Sequence, residues 1–499
     1  MAVQLDFVGL ITVRGLKLGV GLVTIFVFAR IFGVSAMYDA WVWSLGLVNA
    51  ISLMVFGPFV ETFRATYAKF QHGEGQAAAD KYIASVSVGV VVGALVIGLG
   101  LVALLSLSDD MFGLASTGGL TGDATRFVLL LLPGLVLSQL VAVLTAYMNC
   151  VGVVYRPEIA GTLGGAIGTA FIVLFPRLPA VELLLVSYYL GVLAPLAVSF
   201  DFLRTVVSRL RQLKWSELRF YVRAATLVAL PLFVPYLLGQ ASGLLERQYA
   251  ALAGVGGLSV LSYALFARST LQAVFTSALA SLALPQLSHA FQRDGEAAFR
   301  GVTDIWVRQC LLVGGAAVVF LYGFSDIAVT ILFGKHGLSN SALALAPLLR
   351  WYAPALVSVI LYLLGGVSLL AAGKGKSYAF AGSLGQVVSM AMVVGFFPRL
   401  GLVALPLALC VSHAIAAALM FRAAGRGALR DLGVLALPRL AVMALAAIGL
   451  REIDLLLALD AQALTVRIVF SGLVFALLAG IVWFVEHRMF ASGTAAAES

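Results

Sequence analysis

Between Lys81 and Asp109 the chain carries no charged side chain, and apolar stretches of comparable length recur from one end to the other. An α-helix needs about 20 apolar residues to cross the ~30 Å hydrocarbon core of a bilayer. Runs of that kind, broken by Gly, Pro and charge, predict about fourteen spans. They lie near 8–32, 38–69, 80–106, 123–150, 156–176, 182–205, 221–253, 257–290, 298–323, 340–372, 376–397, 401–423, 432–450 and 463–488. The alternating ten-residue segments of a closed barrel are absent from the sequence, so the spans read as helices. With 62% hydrophobic and 11% charged residues over 499 positions, a water-soluble fold could not hide the apolar surface. The first apolar segment, from Phe7 to about Phe32, is too long for a signal-peptide core and lacks a small-residue cleavage site. It is expected to stay as a membrane helix. The expected fold is therefore an all-α polytopic membrane protein.

A second constraint is an internal duplication. Ala29-Arg30-Ile31-Phe32-Gly33-Val34 aligns with Ala250-Ala251-Leu252-Ala253-Gly254-Val255, 221 positions later. Phe70-Gln71 and Phe291-Gln292 share that register, as do Ala160-Gly161-Thr162-Leu163-Gly164 and Ala381-Gly382-Ser383-Leu384-Gly385. Phe175-Pro176-Arg177-Leu178 meets Phe397-Pro398-Arg399-Leu400 one position further on. Six spans per copy return each repeat to its starting side, so the copies are expected to be parallel six-helix lobes around a central cavity. The predicted domains are residues 1–219 and 220–430 for the two lobes, and 431–499 for spans thirteen and fourteen with a short tail.

The net charge of +9 is distributed unevenly. One set of loops holds Lys69, Lys81, Arg156, Arg293, Arg300, Lys374, Lys376 and Arg422, and the long basic stretch from Arg204 to Arg223. The opposite set holds Asp109, Asp110 and few basic residues. Basic loops face the cytoplasm, which predicts a bacterial inner membrane protein with both termini cytoplasmic and explains the charge without nucleic acid.

Motifs for chemistry are weak. Gly373-Lys374-Gly375-Lys376-Ser377 resembles the end of a phosphate-binding loop, but Leu370 stands where a glycine is required and no strand precedes it. It reads as a basic turn. Cys150, Cys310 and Cys410 sit singly in apolar runs and give no disulfide or metal spacing. No cofactor is expected, and the chain reads as a transporter and not an enzyme. Without an ATP-binding module, transport would draw on an ion gradient, the membrane potential or the substrate's own gradient.

The informative residues are charges inside spans, which cost several kcal/mol unless they face water or a partner. Arg14 and Lys17 share a face of span one, and Glu61 and Arg64 a face of span two beyond Pro58. Span seven carries Glu246 and Arg247, span eight Arg268, and span ten Arg350 before Trp351 and Tyr352. A structural ion pair, for instance Glu61 with Arg14 or Lys17, accounts for Glu61 as well as function does, and Arg247 could simply snorkel. His413 reads as a hydrogen-bonded packing residue. An excess of Arg and Lys on spans one, two, seven and eight would make a cationic cleft, suited to phosphate or diphosphate. The candidate substrate-binding set is Arg14, Lys17, Arg64, Arg268 and Arg350. Candidates for gating or ion coupling are Arg30, Asp39, Asn49, Glu61, Glu246 and Arg247.

Ala29-Arg30-Ile31-Phe32-Gly33 followed by Asp39-Ala40 and Asn49 resembles the MurJ/MviN family of the multidrug/oligosaccharidyl-lipid/polysaccharide exporter superfamily. Tyr263-Ala264 through Leu284-Pro285-Gln286-Leu287-Ser288 to Phe291 extends the resemblance, which runs to about Phe421. It implies a fourteen-helix flippase that moves polyprenyl-diphosphate-linked saccharides to the periplasmic leaflet by alternating access. It also implies arginines in span one around Gly21, where this chain has Leu18 and Thr24, and another in span two, where it has Ser52. A further arginine expected after Tyr263-Ala264 is Phe266, with Arg268 two residues on. These departures favour an undecaprenyl-diphosphate-linked exopolysaccharide repeat unit as substrate. The alternatives are lipid II and, for a cation-coupled multidrug exporter of the same superfamily, a cationic drug. Such an exporter needs a mid-membrane carboxylate, and only Glu246 and Glu61 could serve. A polysaccharide polymerase or ligase would need a large outward loop, which the sequence lacks. Membrane lipids and the polysaccharide polymerase machinery are the expected partners.

Overall fold

Most of the predicted apolar runs that fall on described residues are helical, several of them divided into shorter helices. The computed structural model describes residues 2–107, 120–153, 155–333, 343–425 and 439–453, with isolated positions beyond 468. Among the described residues there is no strand, and nine helical stretches are long and apolar enough to cross a membrane. One of them, Gly375–Ala424, holds predicted spans eleven and twelve, separated by a single tight turn at Gly401–Val403. Predicted span fourteen lies largely outside the described residues.

The chain forms two compact units, Met1–Ser259 and Val260–Ser499. The first contains α1 (Ala2–Ile31), α2 (Ala36–Glu74), α3 (Gln76–Leu107), α4 (Leu120–Cys150), α5 (Tyr155–Leu174) and α6 (Ala180–Val198). Then come the short α7 (Phe200–Leu210), α8 (Trp215–Ala229), α9 (Phe233–Leu252) and the first turn of α10 (Gly257–Ala278). The unit ends well beyond residue 220 because α8 and α9 pack on α2 and α3. The second unit continues α10 and adds α11 (Leu284–His289), α12 (Gly295–Gly323), α13 (Ser325–Phe333), α14 (Leu345–Ala371), α15 (Gly375–Leu400) and α16 (Ala404–Ala424). Residues 439–453 are helical as well.

The duplication is visible in the punctuation. Ile31 ends α1 and Ala36 begins α2, while Leu252 ends α9 and Gly257 begins α10, each pair 221 residues apart. Gly33 and Gly254 between them both take positive φ, at 61° and 105°, which only glycine adopts without strain. The long second helix is disturbed at the same place in each copy. In α2 the disturbance is Pro58, which has no N–H to donate; 221 residues later α10 passes into a π-helical turn at Leu279–Ala283.

Packing uses small residues where helices approach closely. On α5, Gly164 and Gly168 meet the carbonyls of Gly191 and Ser187 on α6, and a Cβ added at Gly168 would sit 2.7 Å from the Ser187 oxygen. The lipid-facing side of α3 is the opposite case, with Val96 and Leu99 exposed in the isolated chain. The Gly373–Ser377 segment is a turn at Gly373 and Lys374 that leads straight into the first turn of α15, with no strand before it. Lys374 Nζ donates to the carbonyls of Ala423 and Ala424, 2.8 and 3.3 Å away, and so caps the C-terminus of α16.

Candidate functional site

Helix α2 carries a polar stripe. On a 3.6-residue helix, positions 46, 57, 61 and 64 all fall within about 40° of Asp39, so five residues of the stripe share one face. Within the first unit that face packs against α9 and the start of α10. Gly46 lies under the guanidinium of Arg247 and Gly57 under the ring of Tyr236, so a side chain at either glycine would collide with the residue above it. Eleven residues forward on α2 correspond to eleven back on α9, which makes the pair antiparallel. Phe59 and Phe233 keep the register, edge to face at 5.8 Å. From Asp39 to Glu61 the helix rises about 33 Å, close to the ~30 Å of a hydrocarbon core. The two carboxylates therefore belong to opposite ends of one span.

Asp39 is fully buried and makes three short contacts. Its Oδ2 accepts from the Gly256 amide at 2.5 Å, and its Oδ1 from the Ser259 amide and hydroxyl at 2.6 and 2.5 Å. Those amides are orphan donors of the first turn of α10, and a carboxylate there also meets the positive end of the helix dipole. At the other end of the stripe, the Tyr236 hydroxyl donates to Glu61 Oε2 at 2.6 Å. Arg247 Nη1 donates to the Gly243 carbonyl at 3.1 Å, and Glu246 is half-buried beside it. Arg64 is exposed, and Asn49 is exposed off the stripe.

Two positions at which the resemblance leads one to expect arginine are closed by neutral hydrogen bonds. Thr24 Oγ1 lies 2.6 Å from Thr169 Oγ1 and donates to the Val20 carbonyl at 2.8 Å, tying α1 to α5. Gln139 Nε2 donates to Ser52 Oγ, tying α4 to α2. Hydroxyl and amide groups satisfy one another in this way without a counterion.

Several other candidates are held by protein partners. Lys17 pairs with Glu158 on α5 at 3.1 Å, and Glu61 has Tyr236, so neither takes the partner expected of it in the other. The side chain of Arg14 lies outside the described residues. The Arg30 guanidinium lies 5.1 Å above the ring of Phe26. In the second unit, Arg350 grips both oxygens of Asp326 at 2.6 and 2.7 Å and donates to Ser325, so its fork is already filled by protein. Arg268 lies 5.8 Å from the ring centre of Tyr352, and its Nε is buried with no hydrogen-bond partner. His413 is a packing residue in its contacts: Nδ1 lies 3.0 Å from the Leu409 carbonyl and the ring meets Tyr362 edge-on.

The sequence reading missed Tyr236, Ser259, Gly46 and Gly57. A signal for Ser259 was present, since Val260 occupies the position of Asp39 in the second repeat. Nothing in sequence marked the two glycines, whose role depends on which helix lies across them.

Comparison with known proteins bears on this arrangement. A family model for the lipid II flippase MurJ matches residues 28–491. Among solved structures, the lipid II flippase MurJ in an inward closed conformation has a TM-score of 0.74 at 16% identity, covering 97% of this chain and 100% of that one. An inward-facing multidrug resistance MATE family transporter of the MOP superfamily reaches 0.59 at 15% identity, over 85% of this chain and 95% of its own. A MOP superfamily transporter from Pyrococcus furiosus, described as having a binding pocket of reverse polarity, reaches 0.52 at 16% identity, over 86% and 93%. At such identities these likenesses speak to fold alone. No curated protein sequence matches the chain.

Proposed function

The chain belongs to the MurJ lipid II flippase family, and from that premise we propose that it moves an undecaprenyl-diphosphate-linked oligosaccharide from the cytoplasmic to the periplasmic leaflet by alternating access. The membrane would be the bacterial inner membrane, with both termini in the cytoplasm, on the strength of the loop charges. The two repeats of residues 1–219 and 220–430 would form the moving lobes. The diphosphate would be held by arginine, whose planar fork matches phosphate oxygens. Arg64, exposed on the α2 stripe, and Arg268, with its unpartnered Nε, are the best suited of the original set. Arg14 remains a candidate, whereas Lys17 and Arg350 serve ion pairs within their own units. Asp39, bonded to the start of α10, and Glu61, Glu246 and Arg247 on α2 and α9, would act in gating, and Arg30 and Asn49 remain candidates for the same role.

The observation that carries the choice of head group is the pair of neutral closures, Thr24 with Thr169 and Ser52 with Gln139. Where relatives would offer arginine, this protein offers hydroxyls already bonded to neighbours. That supports a less anionic saccharide than lipid II, such as an exopolysaccharide repeat unit, and through it an association with polymerase machinery. The second reading, lipid II itself, is favoured by the extent of the family match. Vesicles containing the purified chain decide between them. Faster flipping of a neutral polyprenyl-diphosphate oligosaccharide than of lipid II is expected. Equal or faster flipping of lipid II, together with rescue of cells depleted of their lipid II flippase, would overturn the exopolysaccharide reading.

A further inference from the structure

Helix α7 is about 16 Å long, too short to cross a membrane, and it joins two helical stretches that are long enough, Ala180–Val198 and Trp215–Leu252. Its eleven residues divide cleanly. Phe200, Phe202, Leu203, Val206, Val207 and Leu210 occupy one arc, and Asp201, Arg204, Thr205, Ser208 and Arg209 the other. The apolar arc is itself split. Val206 is buried and Phe202 meets Tyr147 of α4 edge-on at 5.6 Å, so that side rests on protein. Phe200 is 64% exposed and Val207 42%, so the other side faces outward beside Arg204. A helix with one apolar edge on its own protein and the other open is built to lie in a membrane interface.

The charges at this elbow point the same way. Two acidic groups are matched within the protein: Asp201 with Arg156 at 2.6 Å, and Glu217 with Lys81 at 2.7 Å. Arg209 is held by Asp80 at 2.9 Å. Arg204, Arg211, Arg219 and Arg223 are all exposed and have no ion pair among the described residues. Trp215, 77% exposed, and Phe220, 55% exposed, stand on the first turns of α8 among them. Exposed indole flanked by unmatched guanidinium is the pattern of an interfacial anchor.

We propose that the α7–α8 elbow is a docking site for anionic phospholipid headgroups of the leaflet on its side, which the loop charges identify as the cytoplasmic one. The occupant is bulk phospholipid and not the transported diphosphate. The four arginines are spread along two helices and the turn between them, around an apolar skirt, whereas one diphosphate needs donors that converge. Each arginine near an anionic surface contributes about a fivefold preference for it.

The test uses the full chain in phosphatidylcholine vesicles doped with either brominated phosphatidylglycerol or brominated phosphatidylcholine. Subtracting the quenching seen in Trp215→Phe isolates the signal of Trp215. Brominated phosphatidylglycerol should quench Trp215 several-fold more strongly, and Arg204→Gln, Arg211→Gln, Arg219→Gln and Arg223→Gln combined should abolish the preference. Equal quenching of the Trp215 signal by the two lipids overturns the proposal, whether or not the arginine variant folds. Loss of the phosphatidylglycerol preference on adding a trace of polyprenyl diphosphate overturns it too, by assigning the elbow to the transported lipid. Neither outcome depends on which saccharide is flipped.

Discussion

The starts of α2 and α10 occupy the same position in the two repeats, yet they are finished by different chemistry. Helix α2 is capped from within: Ser35 has extended backbone, φ −146°, and its Oγ accepts from the Tyr38 amide at 3.3 Å. The residue 221 positions later is Gly256, with φ 91°. A serine there would be strained, so α10 has no cap of its own. The equivalent amide, Ser259 N, is satisfied by Asp39, a side chain from α2. One copy of the duplicated gene product thus closes its helix locally, and the other borrows a carboxylate from its sibling. A local cap survives any movement of neighbouring helices, whereas a borrowed cap exists only while α2 and the first turn of α10 stay together. The gating role proposed for Asp39 would draw on that difference.

The comparison can be broken most severely at Asp39. Asp39→Ala leaves the buried amides of Gly256 and Ser259 without an acceptor, at roughly 1–3 kcal/mol for each unsatisfied group. The purified chain should show a lower denaturation midpoint, and transport should be lost. A midpoint within error of the parent would refute the borrowed cap.

Gly256→Ser sharpens the contrast. If only a side-chain oxygen were missing, this change would rescue Asp39→Ala. The positive φ instead predicts no rescue and a further cost of about 1–3 kcal/mol in either background, read from the same denaturation curves.

Ser35→Ala should cost about 1 kcal/mol. Because its bond is confined to the first turn of α2, its effect should add to that of Ser259→Ala; a coupling well above about 0.5 kcal/mol in the double-mutant cycle would show that the two starts are not independent.

The smallest effect concerns a pair far from either start. The Arg156 guanidinium beside Asp201 holds that carboxyl below its ordinary range. A lowered folded value means the pair stabilises the fold above the unfolded carboxylate pKa of about 3.9 and that the contribution disappears as pH falls through the lower folded value. Both groups are about half exposed, so Asp201→Asn should change stability at neutral pH only slightly and remove a shallow loss below pH about 4. A steep change near neutrality would contradict the assignment.

Much of the scaffold was legible in the chain before any coordinates. Apolar runs predict where helices must lie because a backbone in lipid has to satisfy itself, and that pressure acts locally. The 221-residue register predicted matching breaks, and Gly33 with Gly254 marks them in the backbone. The turn at Lys374 was recognisable because it lacks the strand a phosphate loop follows. The charges were harder. Sequence placed Lys17, Glu61 and Arg350 among functional candidates alike, and could not say that Lys17 reaches Glu158, that Glu61 reaches Tyr236 or that Arg350 closes on Asp326. Each of those partners lies between 24 and 175 positions away.

The sequence alone determined that this protein lives in a membrane as a bundle of helices, that short motifs recur along it in a 221-residue register, and that its charges are few enough to matter individually. Only the tertiary structure decided which of those charges are matched by protein and which are left open. It also revealed that Gly46 and Gly57 are flat because Arg247 and Tyr236 lie across them, and that Asp39 completes a helix other than its own. The physical reason is range. Hydrophobic periodicity and glycine backbones act over a few residues and are written locally. The partner of a buried charge is chosen by which helices the fold brings side by side, and no short stretch of chain contains that choice.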